Sequence, residues 1–342
     1  MRASRAHVTR LRPWLVVAAV LVLLVALLAG VLIGAADLGW RRVLGEIFAE
    51  ATGGRSPLTA REAAIVWQLR VPRVLLAGLV GAALAMSGAT FQGVFRNPLA
   101  DPYLLGAAAG AGMAATIVVV ATPGASGWVP PAAFAGALGG VGLSWLLGRT
   151  TGGGGTAGLL LAGVAVGSFL SAVQTFAQQL NTETIRQVYT WLLGGLNVSG
   201  WHEVLVALPY IAVAAVILCV SARLLDVLSL GDAEAESLGV RPARVRLLLL
   251  AAASLATAAA VSVSGLIGFV GIVVPHVVRL LAGASYRVVV PLSLLGGAVF
   301  LIAADQVART VLPGELPLGV VTAFAGAPFF VAVLRSSRGK VS

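Results

Sequence analysis

Residues 66–102 read VWQLRVPRVLLAGLVGAALAMSGATFQGVFRNPLADP. Apart from Gln68, Arg70 and Arg73 at one end, the segment 66–91 is apolar or small. At about 1.5 Å of rise per residue it is long enough to cross a hydrocarbon layer of roughly 30 Å. Asn97-Pro98 then stops the helix, because a proline ring disfavours helical backbone at the residue before it. Asp101 is a good N-cap and Pro102 a good first residue for the next helix. The stretch reads as a transmembrane span that ends in a rigid corner, with a second span following at once.

Outward from this stretch the same pattern repeats. Apolar runs separated by charged, Pro-rich or Gly-rich breaks place spans near 14–34, 66–91, 103–121, 130–148, 157–179, 204–222, 246–264, 267–282, 288–308 and 318–334. Composition agrees: the 342 residues are 59% hydrophobic and 11% charged, with mean hydropathy +0.99. A soluble domain carries about 25% charged residues, so this chain cannot cover a water-facing surface. Ten spans of roughly 20 residues leave about 142 for eleven loops and tails. The expected fold is an all-α polytopic membrane protein, a single transmembrane domain over 1–342. There is no room for a fused ATPase, kinase or nucleic-acid-binding domain. The apolar stretch from Trp14 to Gly34 exceeds the roughly 7–15-residue core of a signal peptide and reads as a first helix that stays.

Ten spans put both termini on one side, and the distribution of Lys and Arg chooses it. With the N-terminus inside, the inner segments hold fifteen Lys and Arg against five acids, and the outer segments eight against eight. The whole formal charge of +10 then lies on the inner face, where it fixes an N-in, C-in topology in the plasma membrane and needs no nucleic acid to explain it. The cytoplasmic segments include tails 1–13 and 335–342 and a loop over 223–245. Trp40, Trp67, Trp128, Trp191 and Trp201 at outer ends, and Trp14 and Trp145 at inner ends, match the headgroup preference of the ring. Gly106/Gly110, Gly136/Gly140 and Gly163/Gly167, each four apart, predict close helix packing.

The spans are almost free of ionisable groups. Ion-coupled carriers hold such groups at midplane, whereas Asp305, Arg309, Arg70 and Arg73 lie toward outer ends. His276 has no second His or Cys nearby to complete a metal site, and no Ser, His and acid set suggests nucleophilic catalysis. Cys219 is the only cysteine, which excludes an intrachain disulfide. Gly152–Gly155 is followed by Thr156-Ala157, and Lys340 is the only lysine, so a phosphate-binding P-loop is excluded. One polar stripe remains: Ser168, Ser171, Gln174 and Gln178 recur at three- or four-residue steps on one face of the fifth span. They are either interhelical hydrogen-bonding groups or the wall of a wet pathway. Neither a metal nor a cofactor is expected in this chain.

The run Ser87–Pro102 resembles the FecCD-type permeases, the membrane subunits of ABC importers for iron chelates, haem and vitamin B12. The likeness extends to Leu69-Arg70-Val71-Pro72-Arg73, Val80–Ala85, Gly265–Arg279 (GLIGFVGIVVPHVVR), Ala304-Asp305 and Glu315–Gly319, in order over most of residues 65–335. It implies a type II ABC importer permease fold and a homodimer of ten-helix subunits with a pathway along its axis. It also implies two separate cytoplasmic ATPase subunits that carry ATP and Mg, and an extracytoplasmic solute-binding protein. By resemblance Arg70, Arg73 and Arg309 meet acidic residues of that binding protein. Gln92, Arg96, Asn97, Pro98, Asp101, Pro102, Pro275, His276 and Arg279 are expected to be structural.

The longest inner loop reads Leu230–Pro242, where Asp232 suits a helix N-cap, Glu234 and Glu236 its first turn, and Gly239 with Pro242 its end. These acids run against the basic inner face and call for a partner. The resemblance makes Asp232, Glu234, Ala235, Glu236, Ser237, Leu238 and Gly239 the coupling helix that seats in the ATPase. It likewise places Thr156 and Ala157 at an inner gate, and a short interfacial helix between Asn181 and Trp201 near the outer mouth. The expected solute is an iron chelate, the broadest use of the family, with cobalamin as the alternative. An ion-coupled secondary carrier or an intramembrane enzyme would need midplane acids or a catalytic set that the spans lack.

Overall fold

The computed structural model describes residues 11–34, 36–122, 126–150, 156–197, 200–312 and 314–338. Among them every regular element is helical. In chain order these are α1 (Pro13–Leu32), α2 (Trp40–Thr52), α3 (Ala60–Ala64), α4 (Val71–Phe95), α5 (Ala107–Ala121), α6 (Val129–Thr150), α7 (Thr156–Leu180), α8 (Ile185–Leu192), α9 (His202–Val220), α10 (Ala222–Leu230), α11 (Asp232–Ser237), α12 (Pro242–Ser264), α13 (Val270–Ala282), α14 (Tyr286–Thr310) and α15 (Leu318–Arg338). A wide helical turn over Ile65–Arg70 fuses α3 to α4, so one helix runs over Ala60–Phe95. Among the described residues seven helices are long and apolar enough to cross a membrane, and α5, α13 and residues 318–333 of α15 are shorter apolar helices. These ten match the expected spans in order. Most of the tails 1–13 and 335–342 lies outside the described residues.

The short helices correct two expected boundaries. The third span was expected from residue 103, but Pro102–Leu105 forms a 3-10 turn closed by left-handed Gly106, and α5 starts only at Ala107. The eighth was expected from residue 267, but the backbone is non-helical from Gly265 to Phe269 and α13 starts at Val270. The two breaks pack against each other. Tyr103 Oη donates to the Ile267 carbonyl at 3.1 Å, and a side chain at Gly271 would meet Pro102 and the Leu84 carbonyl. Irregular backbone at this depth is tolerated because it is buried in protein and satisfied there.

The core is built on α4, which is buried along nearly its whole length and packs against α14, α12, α13 and α9. Close approach is secured by glycine. A Cβ at Gly81 would fall on the Gly297 carbonyl of α14, and one at Gly88 on the Gly271 carbonyl of α13. Of the expected small-residue contacts, Gly110 packs against Gly136 and Gly163 against the Leu104 carbonyl, whereas a side chain at Gly167 would meet nothing within 4 Å. Two helices outside the spans were missed from sequence, α2 on the outer side and α10 on the inner. The first is anchored by buried Glu46, which accepts from Trp67 Nε1 at 3.1 Å and from Ser56.

Candidate functional site

At the inner end, α4 stops at Phe95. Arg96 takes a left-handed conformation (φ 49°) while Asn97 N donates to Gln92 O at 3.1 Å. This turn aims Arg96 across the inner face. Its Nε donates to the Leu228 carbonyl of α10 at 3.0 Å, and its Nη2 pairs with Asp232 of α11. Arg246, in the first turns of α12, pairs with the same carboxylate. Asp232 is therefore not the N-cap that the sequence suggested; Gly231 takes that place. Two arginines have claimed the carboxylate, and Arg246 first, with Arg96 beside it, holds Asp232 below the usual carboxylate range. The other end of α11 closes as read: Gly239 is left-handed, Gly239 N donates to Glu236 O, and Val240 N to Ala235 O. Asp226 of α10 completes the fastening, accepting from Ser285 Oγ at 2.8 Å and Tyr286 N at 2.6 Å at the start of α14. The loop 223–245 is thus tied to α4, α12 and α14. Within α11 only Ala235 is buried, while Glu234, Glu236 and Ser237 are exposed and Leu238 is 62% exposed.

At the opposite end of the α4–α14 pair lies a second charged network. Arg73 donates to buried Asp305 at 3.0 and 3.1 Å and to Glu315 at 2.8 and 3.0 Å. Arg309 pairs with Asp305 at 2.9 Å, one turn away. Arg70 faces inward: its guanidinium donates to the Val31, Leu32 and Ala36 carbonyls and so caps the end of α1. The docking expectation therefore meets a different geometry. Arg70 is 6% and Arg309 8% exposed, both turned into the protein, and of the three only Arg73 reaches the rim. At that rim Arg73 holds Glu315 below the usual carboxylate range.

Between the two ends, α7 leaves one face uncovered, carrying Leu161, Val164, Phe169 and Phe176, each more than 60% exposed. Ser168 and Ser171 stand exposed on this side of the helix, whereas Gln174 turns toward Gly112 of α5 and Gln178 is half-buried. Thr156 opens α7 and Ala157 is exposed; the glycines 152–155 before them lie outside the described residues. On the outer side, α8 forms over the expected residues and roofs a cavity of about 1390 Å³. Arg186, Gln187, Thr190 and Trp191 of α8 line it together with His202, Tyr210, Ser262 and Glu315.

The motif residues have structural partners. Gln92 Nε2 donates to the Gly271 carbonyl at 2.9 Å and its Oε1 accepts from Arg279. Asn97 Oδ1 accepts from Leu99 N, and Asp101 Oδ1 from Tyr103 N at 2.8 Å. Pro98 and Pro102 bracket that corner, and Pro275 lies inside α13. His276 meets Phe329 edge-on, with ring centroids 5.7 Å apart, and no group of three or more His, Cys, Asp or Glu converges among the described residues.

Ten apolar helices, an exposed acidic inner helix and the corner after α4 form one consistent set, and the family comparison decides what it is. The model of the FecCD transport family matches residues 21–336. The chain belongs to this family. A cobalamin import system permease protein from Halobacterium salinarum is 46% identical over 271 residues, 79% of this chain and 73% of that one. A hemin transport system permease protein from Yersinia pestis is 42% identical over 287 residues, 80% of this chain and 84% of that one. Among solved structures, an inward-facing metal-chelate type ABC transporter superposes with TM-score 0.83 at 28% identity, covering 95% of this permease and all of that chain.

Proposed function

We propose that this FecCD-family permease is the membrane subunit of a binding-protein-dependent importer that carries a metal chelate into the cytoplasm. The single observation that carries the reading is α11. An exposed acidic helix stands on the basic inner face, fastened through Asp232 and Asp226 to α4, α12 and α14. A solvated loop needs no such fastening, whereas a lever moved by a partner does. Separate ATPase subunits bind ATP and Mg, seat on Glu234, Glu236 and Leu238, and move α11. The rigid α4–α14 pair passes that motion to the outer network at Arg73, Asp305 and Glu315, where a binding protein delivers the solute. A second copy of the chain covers the open face of α7, because Ser168 and Ser171 suit a wet axis between subunits better than lipid. Thr156 and Ala157 stand at its inner mouth.

The solute is a large metal chelate, with a ferric siderophore or haem as the first reading. The 46% identity to a relative named for cobalamin favours cobalamin as the second, against 42% for the relative named for hemin. Direct binding of the three ligands to the purified cognate binding protein separates them. Tight binding of a ferric siderophore or haem supports the first reading, and tight binding of cobalamin alone overturns it in favour of the second.

A further inference from the structure

On the inner side a cleft of about 380 Å³ lies between α6 and α12 beside the start of α7 and the end of α4. Arg149, Arg244 and Arg246 line it together with Leu247 and Leu250, and Trp145 flanks it. No acid lines it. The ion pairs of this face run from Arg96 and Arg246 to Asp232 and from Arg287 to Asp226, so among the described residues Arg149 and Arg244 have no acidic partner. Arg149 lies over the Trp145 ring at 4.6 Å, which fixes the guanidinium at the headgroup layer. Arg246 spends Nη2 on Asp232, while its buried Nε has no hydrogen-bond partner among the described residues.

Three arginines lining one cleft with apolar side chains, at the inner membrane surface, match a phosphodiester headgroup with acyl chains beside it. The neighbouring Leu146, Leu147, Leu247 and Leu248 are exposed and continue the apolar surface on which such chains would lie. We propose that this cleft binds the headgroup of an anionic phospholipid of the inner leaflet. Because Arg246 also holds Asp232, the bound lipid touches the fastening of α11 directly. The proposal does not depend on which solute is carried.

The test is native mass spectrometry of the delipidated full-length permease titrated with dioleoylphosphatidylglycerol and with dioleoylphosphatidylcholine. The wild type is expected to bind the anionic lipid at least fivefold more tightly, Arg149→Gln with Arg244→Gln to lose that preference, and Arg149→Lys with Arg244→Lys to keep it. Arg223→Gln, an inner arginine outside the cleft, is the control and should keep it too. Equal binding of both lipids by the wild type, or an unchanged preference in the double Gln variant, overturns the proposal. Displacement of the anionic lipid by an equal concentration of glycerol 3-phosphate also overturns it, since the acyl walls would then contribute nothing. Loss of ATPase copurification in the double Gln variant, with lipid binding intact, would assign the cleft to the ATPase and reject the lipid.

Discussion

Arg73 is shared by two carboxylates of unequal exposure: Asp305 is buried and Glu315 is 56% exposed at the side chain. In the proposed docking, an incoming acidic group from the binding protein replaces Glu315 on Arg73. Glu315→Gln is therefore expected to tighten binding-protein affinity several-fold, read by surface-immobilised titration, and Arg73→Glu to abolish it; a weaker complex in Glu315→Gln would contradict the assignment. Arg70→Glu should instead loosen α1, visible as a lower melting temperature, because the side chain caps that helix. Sequence placed these arginines at the outer ends but not their direction, since a long side chain reaches either headgroups or an uncapped helix terminus from the same Cα. At the inner end, Asp232→Asn should cost less than about 1 kcal/mol of stability, the range of exposed ion pairs, yet lower ATP-driven uptake strongly. The swap Arg96→Asp with Asp232→Arg should restore part of it. The folded pKa of Asp232 is depressed, so its contribution is complete above the usual carboxylate value of 3.8 and is lost only as pH falls through the lower folded value. Copurification with the ATPase should accordingly be equal at pH 5 and pH 8, and a loss at pH 5 would show that the clamp does not hold α11.

Among the elements, α4 shows how far a hydropathy reading goes. Its existence, its inner end at Asn97-Pro98 and the cap at Asp101 were all legible, because those residues act on their own backbone. The late starts of α5 and α13 were not, since an apolar run gives no sign that two breaks pair with each other inside the protein. The end of α11 at Gly239 was readable for the same local reason, while the N-cap assignment of Asp232 failed because Arg96, 136 residues away, and Arg246 captured the carboxylate. α2 escaped notice because its buried face includes a glutamate, Glu46, in place of an apolar residue. The packing of α4 makes its own prediction. Gly88→Ala drives a methyl into the Gly271 backbone, which cannot give way, and should destabilise by about 1–3 kcal/mol. Gly167→Ala, inside α7 with nothing within 4 Å, should not lower the melting temperature in detergent. Equal effects of the two would mean that the α4–α13 contact is looser than described.

For the whole molecule, the charge count and the geometry agree. The network of Arg96, Asp226, Asp232, Arg246 and Arg287 gathers at one end of the helix bundle, and that of Arg70, Arg73, Asp305, Arg309 and Glu315 at the other, the sides to which Lys and Arg counting assigned them. The α4–α14 pair joins the two, with Gly81 and Gly297 in backbone contact between them. The proposed mechanism, in which energy is delivered from outside the bilayer, uses this arrangement to join the two ends. The most direct measurement is solute uptake into proteoliposomes holding the permease and its ATPase, with the solute-loaded binding protein outside and ATP within. Uptake should require ATP, the binding protein and an intact segment 232–238, and should survive an uncoupler. Uptake that persists without ATP and collapses with the uncoupler would contradict the account.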